Sequence, residues 1–85
     1  MKLDDRTKEL IAIGASISAN CQPCLEYHLS KALEYGADES EIVDAIGVGS
    51  LVRRGAAAKM DKFAQSLNKT HLAQKVEDEQ CGCPK

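Results

Sequence analysis

Three residues with chemically reactive side chains lie within one short segment of this chain. Cys21, Cys24 and His28 occur in the string Cys-Gln-Pro-Cys-Leu-Glu-Tyr-His. In a helix, residues at i, i+3, i+4 and i+7 share one face, so the three side chains fall on one stripe. Glu9, twelve positions before Cys21, offers a carboxylate from another segment. A thiol pair with an imidazole and a carboxylate can exchange protons and close a disulfide, so the pattern indicates a dithiol redox site.

The cysteines lie at the predicted start of a helix, which favours the reactive form of a thiol. First-turn amides lack intrahelical acceptors, and the helix macrodipole favours an anion there. A helix N-terminus or a neighbouring imidazolium lowers the pKa of a cysteine from its usual value of about 8.5. His28 follows Cys24 at i+4, so Cys24 is the thiol that His28 is placed to deprotonate. Taken singly, each residue also fits an ordinary structural role, and Glu9 alone fits a solvated helix charge.

The elements that must position these residues are predicted to be helices throughout, so the expected fold class is an all-α helical bundle. Apolar residues recur at helical spacings, and no segment alternates with period two for long enough to indicate a strand. Four main helices are predicted, at about residues 7–19, 21–35, 38–51 and 54–67.

The predicted helices have recognisable start and stop residues. Asn20 is a candidate N-cap for the second helix, and Gly36 is a natural stop after it. Asp38 followed by Glu41 is a variant of the capping box and opens the third helix. These signals divide the chain into helices joined by short turns.

Length and composition exclude several classes of function. The chain has 85 residues and a net charge of −2 with cations and anions interspersed, which indicates one domain and points to neither nucleic acid nor an anionic membrane. No stretch reaches the roughly 18 apolar residues of a membrane span. The charged start lacks the apolar core of a signal peptide, so the four cysteines are expected to be reduced or cycling thiols in the cytoplasm.

The last residues differ in character from the rest. We expect a helical domain over residues 1–72 and a mobile tail over residues 73–85 that ends in Cys81-Gly82-Cys83-Pro84-Lys85. A disulfide that closes so short a loop would be strained and therefore oxidising. Cys81 and Cys83 are therefore candidate resolving or shuttle thiols that exchange electrons with the Cys21–Cys24 pair. The small size of the chain also predicts a homo-oligomer, because a short chain builds a small core alone.

The spacing of Glu9, Cys21, Cys24 and His28 resembles the active-site pattern of the alkylhydroperoxidase D-like (AhpD-like) proteins of the carboxymuconolactone decarboxylase superfamily. The segments Glu-Leu-Ile-Ala-Ile-Gly-Ala-Ser-Ile before the motif and Ala-Leu-Glu-Tyr-Gly-Ala-Asp-Glu-Ser-Glu-Ile-Val-Asp-Ala-Ile after it agree with this resemblance. It covers about residues 3–67. It implies all-helical subunits that assemble as dimers, trimers or hexamers.

The resemblance also implies a function and a role for each site residue. Members with this motif reduce peroxides or exchange disulfides, whereas the name-giving decarboxylases lack the cysteine pair. By resemblance, Cys24 attacks the peroxide, His28 and Glu9 relay protons, and Cys21 is the resolving thiol. The implied partners are a peroxide or disulfide substrate and a thiol reductant protein or dihydrolipoamide-type donor. Neither a cofactor nor a metal is expected.

Two other functions fit parts of the sequence. Cys21, Cys24 and His28, together with Cys81 or Cys83, could supply four ligands for zinc or another thiophilic ion. Against this metal-binding module, the tail would have to fold onto the site, and the Cys-Gly-Cys spacing is tighter than in usual structural zinc sites. The other alternative is a non-catalytic helical subunit of an assembly, with incidental cysteines.

Overall fold

The computed structural model describes residues 1–67, which form three α-helices and no strand. Helix α1 spans Asp5–Ser18, α2 spans Gln22–Glu34 and α3 spans Glu39–Gln65. Helix α1 packs against both α2 and α3 and is therefore the central element. None of these three helices is both long and apolar enough to cross a bilayer. The predicted all-α fold class is confirmed, whereas Cys81, Cys83 and the predicted tail lie outside the described residues.

The prediction of four helices is wrong, because the expected third and fourth helices are one continuous helix, α3. The expected break falls at Leu51-Val52-Arg53-Arg54, which contains no proline and no residue that caps a helix end. Gly47, Gly49 and Gly55 lie inside α3. Each glycine costs about 1 kcal/mol relative to alanine, which weakens a helix without ending it.

Side-chain caps fix where α1 and α3 begin. Asp4 is the N-cap of α1, and its carboxylate accepts a 2.7 Å hydrogen bond from the amide of Thr7. The predicted capping box is present: Asp38 Oδ1 accepts from the Glu41 amide at 2.9 Å, and Glu41 Oε1 accepts from the Asp38 amide at 3.1 Å. The amide hydrogen bond from Glu41 lowers the pKa of Asp38 below its usual value. Both helices therefore begin with a negative charge, which suits the macrodipole.

Glycine ends α2, and an ion pair ties α1 to α3. Gly36 has a φ of +92°, in the left-handed region that favours glycine, so the predicted stop after α2 is confirmed. The Arg6 guanidinium on α1 pairs with the Glu41 carboxylate at the start of α3. The hydrogen bond from Arg6 lowers the pKa of Glu41. The N-terminal ends of α1 and α3 are thereby held side by side.

The hydrophobic core of the described residues is small. Its buried apolar members are Ile13, Ala32, Ala37 and Ile42, which come from α1, α2, the turn after α2, and α3. Leu10, Leu25, Leu29, Ala45 and Ile46 pack around them and stay partly exposed. A core of this size is what the chain length predicts.

Two glycines let α1 and α3 approach closely. A Cβ at Gly49 would lie 2.8 Å from the Ile17 Cβ and closer still to the Gly14 carbonyl oxygen. Ser18 Oγ donates a 3.1 Å hydrogen bond to the Gly49 carbonyl and closes the same contact. Only glycine fits at position 49 without moving one helix, so this contact sets the position of α1 over α3.

The C-terminal half of α3 extends beyond the other two helices. All residues from 51 to 67 are exposed. Ala56, Met60, Phe63 and Leu67 form one apolar stripe along this arm, at spacings of four, three and four. Met60 and Phe63 are 64% and 62% exposed. We expect a second copy of the chain to cover this stripe, since exposed apolar stripes of this kind mark interaction surfaces.

The Gly49 contact predicts opposite effects for two glycine-to-alanine substitutions on α3. Gly49→Ala should lower the free energy of unfolding by about 1–3 kcal/mol, because the added methyl group forces α1 away from α3. Gly47→Ala, where a Cβ would meet nothing within 4 Å, should raise it by about 0.4–1 kcal/mol. Urea unfolding followed by circular dichroism measures both, and equal shifts in the two variants would contradict the close contact.

The exposed arm predicts self-association that depends on Phe63. Phe63→Ser should weaken the association constant by about tenfold or more, because burial of a phenylalanine side chain contributes about 1.5–3 kcal/mol. Val43→Ser is the matched control, since Val43 is similarly exposed and lies about 200° around the helix from Phe63. Sedimentation equilibrium measures both. A 9.2 kDa monomer at micromolar concentration would refute the expectation.

Candidate functional site

The two cysteines lie together at the start of α2. Cys21 is the N-cap of this helix, and its Sγ accepts a 3.3 Å hydrogen bond from the amide of Cys24. The two residues are joined by a disulfide, with their Cα atoms 5.3 Å apart, inside the range usual for disulfides. Pro23 occupies the first turn, where a missing amide donor costs nothing. The helix start thus presents both sulfur atoms at one place.

The turn before α2 corrects the prediction that Asn20 caps this helix. Asn20 has a φ of +56°, a left-handed conformation that asparagine tolerates better than most residues. It reverses the chain between α1 and α2, and the Cys21 amide then donates a 3.0 Å hydrogen bond to the Ser16 carbonyl. Arg53 reaches over from α3 and donates to Asn20 Oδ1 at 2.9 Å and to the Ile17 carbonyl at 3.1 Å. Cys21 takes the cap position because Asn20 makes the turn.

The structure places Glu9 of α1 against His28 of α2. Glu9 Oε1 lies 2.6 Å from His28 Nδ1, and Glu9 is only 8% exposed. A buried carboxylate needs a hydrogen-bond partner, and His28 supplies it. Because Nδ1 faces Glu9, Nε2 is the imidazole nitrogen left to exchange protons with other groups.

His28 and both cysteines line one side of a shallow groove of about 250 Å³. Cys24 is exposed in this groove, whereas Cys21 is half-buried. The opposite side comes from α1 and consists of small residues, which leave room above the disulfide. These residues are Ala12, Ala15, Ser16 and Ala19. The structure therefore brings Glu9, Cys21, Cys24 and His28 into one site.

Two residues at this site were not singled out from the sequence. Ser16 is buried and donates from Oγ to the Ala12 carbonyl at 2.7 Å. Its position seven residues after Glu9 puts it on the same face of α1, and this spacing is the signal that could have identified it. Tyr27 packs the edge of its ring on His28, with centroids 5.0 Å apart and planes at 81°. No spacing rule marks Tyr27, because it directly precedes His28 in the chain.

A surface ion pair lies one turn beyond the site on α2. Lys31 Nζ lies 3.2 Å from a Glu34 carboxylate oxygen and 5.9 Å from the centre of the Tyr27 ring. The hydrogen bond to Glu34 raises the pKa of Lys31. This pair is more exposed than the Glu9–His28 pair and makes no contact with the disulfide that the structure records.

The metal-binding alternative finds no complete ligand set in this part of the chain. Among residues 1–67, no three side chains of His, Cys, Asp or Glu are placed to hold one ion. The module considered above also needs Cys81 or Cys83, which lie beyond the residues described. What these residues show is a disulfide with a carboxylate–imidazole pair beside it.

Comparison with known proteins assigns this chain to a family. The model of the carboxymuconolactone decarboxylase family matches residues 1–65, so the chain belongs to this family. The superfamily resemblance inferred from the site residues is thereby confirmed.

One curated relative resembles the chain over much of its length. The chain is 42% identical over 55 residues to "Uncharacterized protein 4 in cox locus" of Paracoccus denitrificans. The match covers 65% of this chain and 50% of the relative, so the chain spans about half the length of that protein. No solved structure matches.

The Glu9–His28 pair predicts a coupling energy that an exposed pair lacks. In a double-mutant cycle with Glu9→Ala and His28→Ala, we expect a coupling of about 1–3 kcal/mol in the free energy of unfolding at neutral pH, because either single change leaves a buried polar group without its partner. The same cycle on the exposed Lys31–Glu34 pair should give no measurable coupling. Additive effects of the Glu9 and His28 substitutions would show that the two side chains do not interact in solution.

Proposed function

We propose that this chain is a thiol-disulfide oxidoreductase that reduces a peroxide or a disulfide. The observation that carries the proposal is the shared groove in which the Cys21–Cys24 disulfide lies beside an imidazole already held by a buried carboxylate. Membership of the carboxymuconolactone decarboxylase family supports an enzyme, and the cysteine pair favours redox chemistry over decarboxylation.

In the first half-reaction, Cys24 is the nucleophile. It is the more exposed cysteine, precedes His28 by four residues on the same helix, and lines the same groove. Its thiolate attacks the terminal oxygen of a hydroperoxide, the O–O bond breaks, and the alkoxide leaves with a proton supplied through His28. Cys24 becomes a sulfenic acid and the peroxide becomes an alcohol, a two-electron reduction.

The second cysteine completes the oxidation. The Cys21 thiolate attacks Cys24 Sγ, an S–S bond forms, and the hydroxyl group leaves as water with one added proton. A disulfide substrate follows the same route, except that a thiolate leaves from a mixed disulfide in place of water. Glu9 holds the imidazole through Nδ1 and leaves Nε2 to exchange the proton, which makes Glu9 a positioning residue for His28.

Trapping of the first intermediate tests the proposal. In full-length chain with Cys21→Ser, hydrogen peroxide or an alkyl hydroperoxide should produce a sulfenic acid on Cys24, which dimedone labels and mass spectrometry locates. His28→Gln should slow this labelling by about 10²–10⁴, the usual size of a general acid–base contribution. Glu9→Gln should slow it less, because the imidazole itself remains.

The controls separate the site from the other thiols and from the alternatives. Cys81→Ser with Cys83→Ser removes the candidate resolving thiols of the tail, and the labelling of Cys24 should persist in this background. In the matched Cys24→Ser variant, Cys21 should be labelled far more slowly. A sulfenic acid that forms on Cys21 as fast as on Cys24 in the Cys21→Ser variant would reverse the assigned roles. The non-catalytic assembly subunit is favoured if neither peroxides nor 2-hydroxyethyl disulfide oxidises the reduced chain. In that case its thiols should also alkylate as slowly as those of an unfolded peptide.

A further inference from the structure

Cys21 borders a second space besides the groove that contains His28. There Cys21 lines a separate depression of about 180 Å³ together with Asn20, Gln22 and Arg53. Cys24 and His28 do not line it. Ser16 and Cys21 line both spaces, so Cys21 is the half of the disulfide that the second depression can offer to another molecule.

A fixed cation lies in this second depression. Arg53 Nη1 donates to the Ile17 carbonyl and to Asn20 Oδ1, and these bonds hold the guanidinium against the turn that precedes Cys21. Within residues 1–67, no carboxylate forms an ion pair with Arg53. A guanidinium has five N–H donors, so several remain available for an anion after these two hydrogen bonds. Carboxylates and phosphates are the anions that a guanidinium fork binds through paired hydrogen bonds.

We propose that the depression beside Cys21 binds the carboxylate of an anionic thiol, which reduces the Cys21–Cys24 disulfide by attack on Cys21. This inference rests on the proposed redox function and adds the class of reductant and its side of approach. The oxidant reacts at Cys24 in the groove, and the reductant enters through the depression next to Arg53.

Reduction of the protein disulfide consumes two reductant thiols, which supply its two electrons and two protons. The thiolate of the first reductant molecule attacks Cys21 Sγ, the Cys21–Cys24 bond breaks, and Cys24 leaves with the electron pair beside His28. A second thiolate attacks the reductant sulfur of the mixed disulfide and releases the Cys21 thiolate, whose Sγ then keeps the hydrogen bond from the Cys24 amide. Two thiols become one small disulfide, and the protein disulfide becomes a dithiol. Cys24 is the better leaving group in the first step because an imidazole stabilises its thiolate.

Three thiols of similar size and different charge test the proposal. The rate at which 3-mercaptopropionate, 2-mercaptoethanol and cysteamine open the Cys21–Cys24 disulfide is measured by acid quench, alkylation and mass spectrometry. The full chain is used, with and without Cys81→Ser and Cys83→Ser. Each rate is divided by the rate of the same thiol with 2-hydroxyethyl disulfide, which removes differences in intrinsic thiol reactivity. We expect the anion to exceed the neutral thiol by about three- to tenfold, and the cation to be slowest.

Variants separate recognition of charge from support of the turn. Arg53→Gln should reduce the ratio of anion to neutral thiol to about one, and Arg53→Lys should keep part of it. Arg54→Gln, next in the chain, is the matched control and should leave the ratio unchanged. If Arg53→Gln slows all three thiols equally, Arg53 only supports the turn and the proposal is wrong.

The position of the trapped mixed disulfide gives a second, independent result. Peptide mapping after a short reaction with 3-mercaptopropionate should find the adduct on Cys21, and an adduct on Cys24 would overturn the proposed side of approach. The proposed redox function has its own test. It is wrong if peroxide does not close the disulfide again after 2-mercaptoethanol has opened it. A chain that cycles with 2-mercaptoethanol and peroxide but shows no preference for the anion would keep the function and refute the role of Arg53.

Discussion

A buried carboxylate must have a partner, and this requirement organises the site. Glu9 is 8% exposed and meets His28 at 2.6 Å, so α1 and α2 can pack only in a register that brings these two side chains together. Once that register is fixed, the position of Cys24 follows, because it lies one turn before His28 on the same helix. The groove between the helices then contains the disulfide and the imidazole at once. The Glu9–His28 hydrogen bond therefore fixes how α1 and α2 pack, whereas a larger apolar core fixes helix packing in a longer chain.

Local sequence patterns predicted helix starts and stops well where neighbouring residues determine them. They failed where residues far apart in the chain determine the conformation. The capping box at Asp38 and the stop at Gly36 depend on residues three or fewer positions apart, so sequence alone could identify them. The role of Asn20 depends on Arg53, which lies 33 positions away, and no local pattern contains this hydrogen bond. The continuity of α3 was missed because its two apolar runs, over about residues 38–51 and 54–67, were assigned to separate helices, although no proline or capping residue lies between them.

The same distinction applies to the site. Cys21, Cys24 and His28 are neighbours in one helix, so their proximity follows from helical periodicity. Glu9 lies on a different helix, and only its resemblance to a known pattern linked it to the others before the packing of α1 on α2 was seen. Arg53 had no such pattern, and its contacts come from tertiary packing alone. Tyr27 contacts its neighbour His28 within α2, and no spacing rule marks such a pair.

Continuous α3 also connects parts of the molecule that a broken helix would separate. In its first half Ile42 lies in the core, and in its middle Arg53 donates to Asn20 in the turn before Cys21. Near its end Phe63 lies in the exposed stripe. A rigid helix transmits a displacement along its length, because packed elements move as units. A second copy seated on the stripe would therefore act on the same element that holds Arg53 against Asn20. The surface expected to assemble the protein and the turn that presents Cys21 are thus joined by one helix, which gives assembly a physical route to the disulfide.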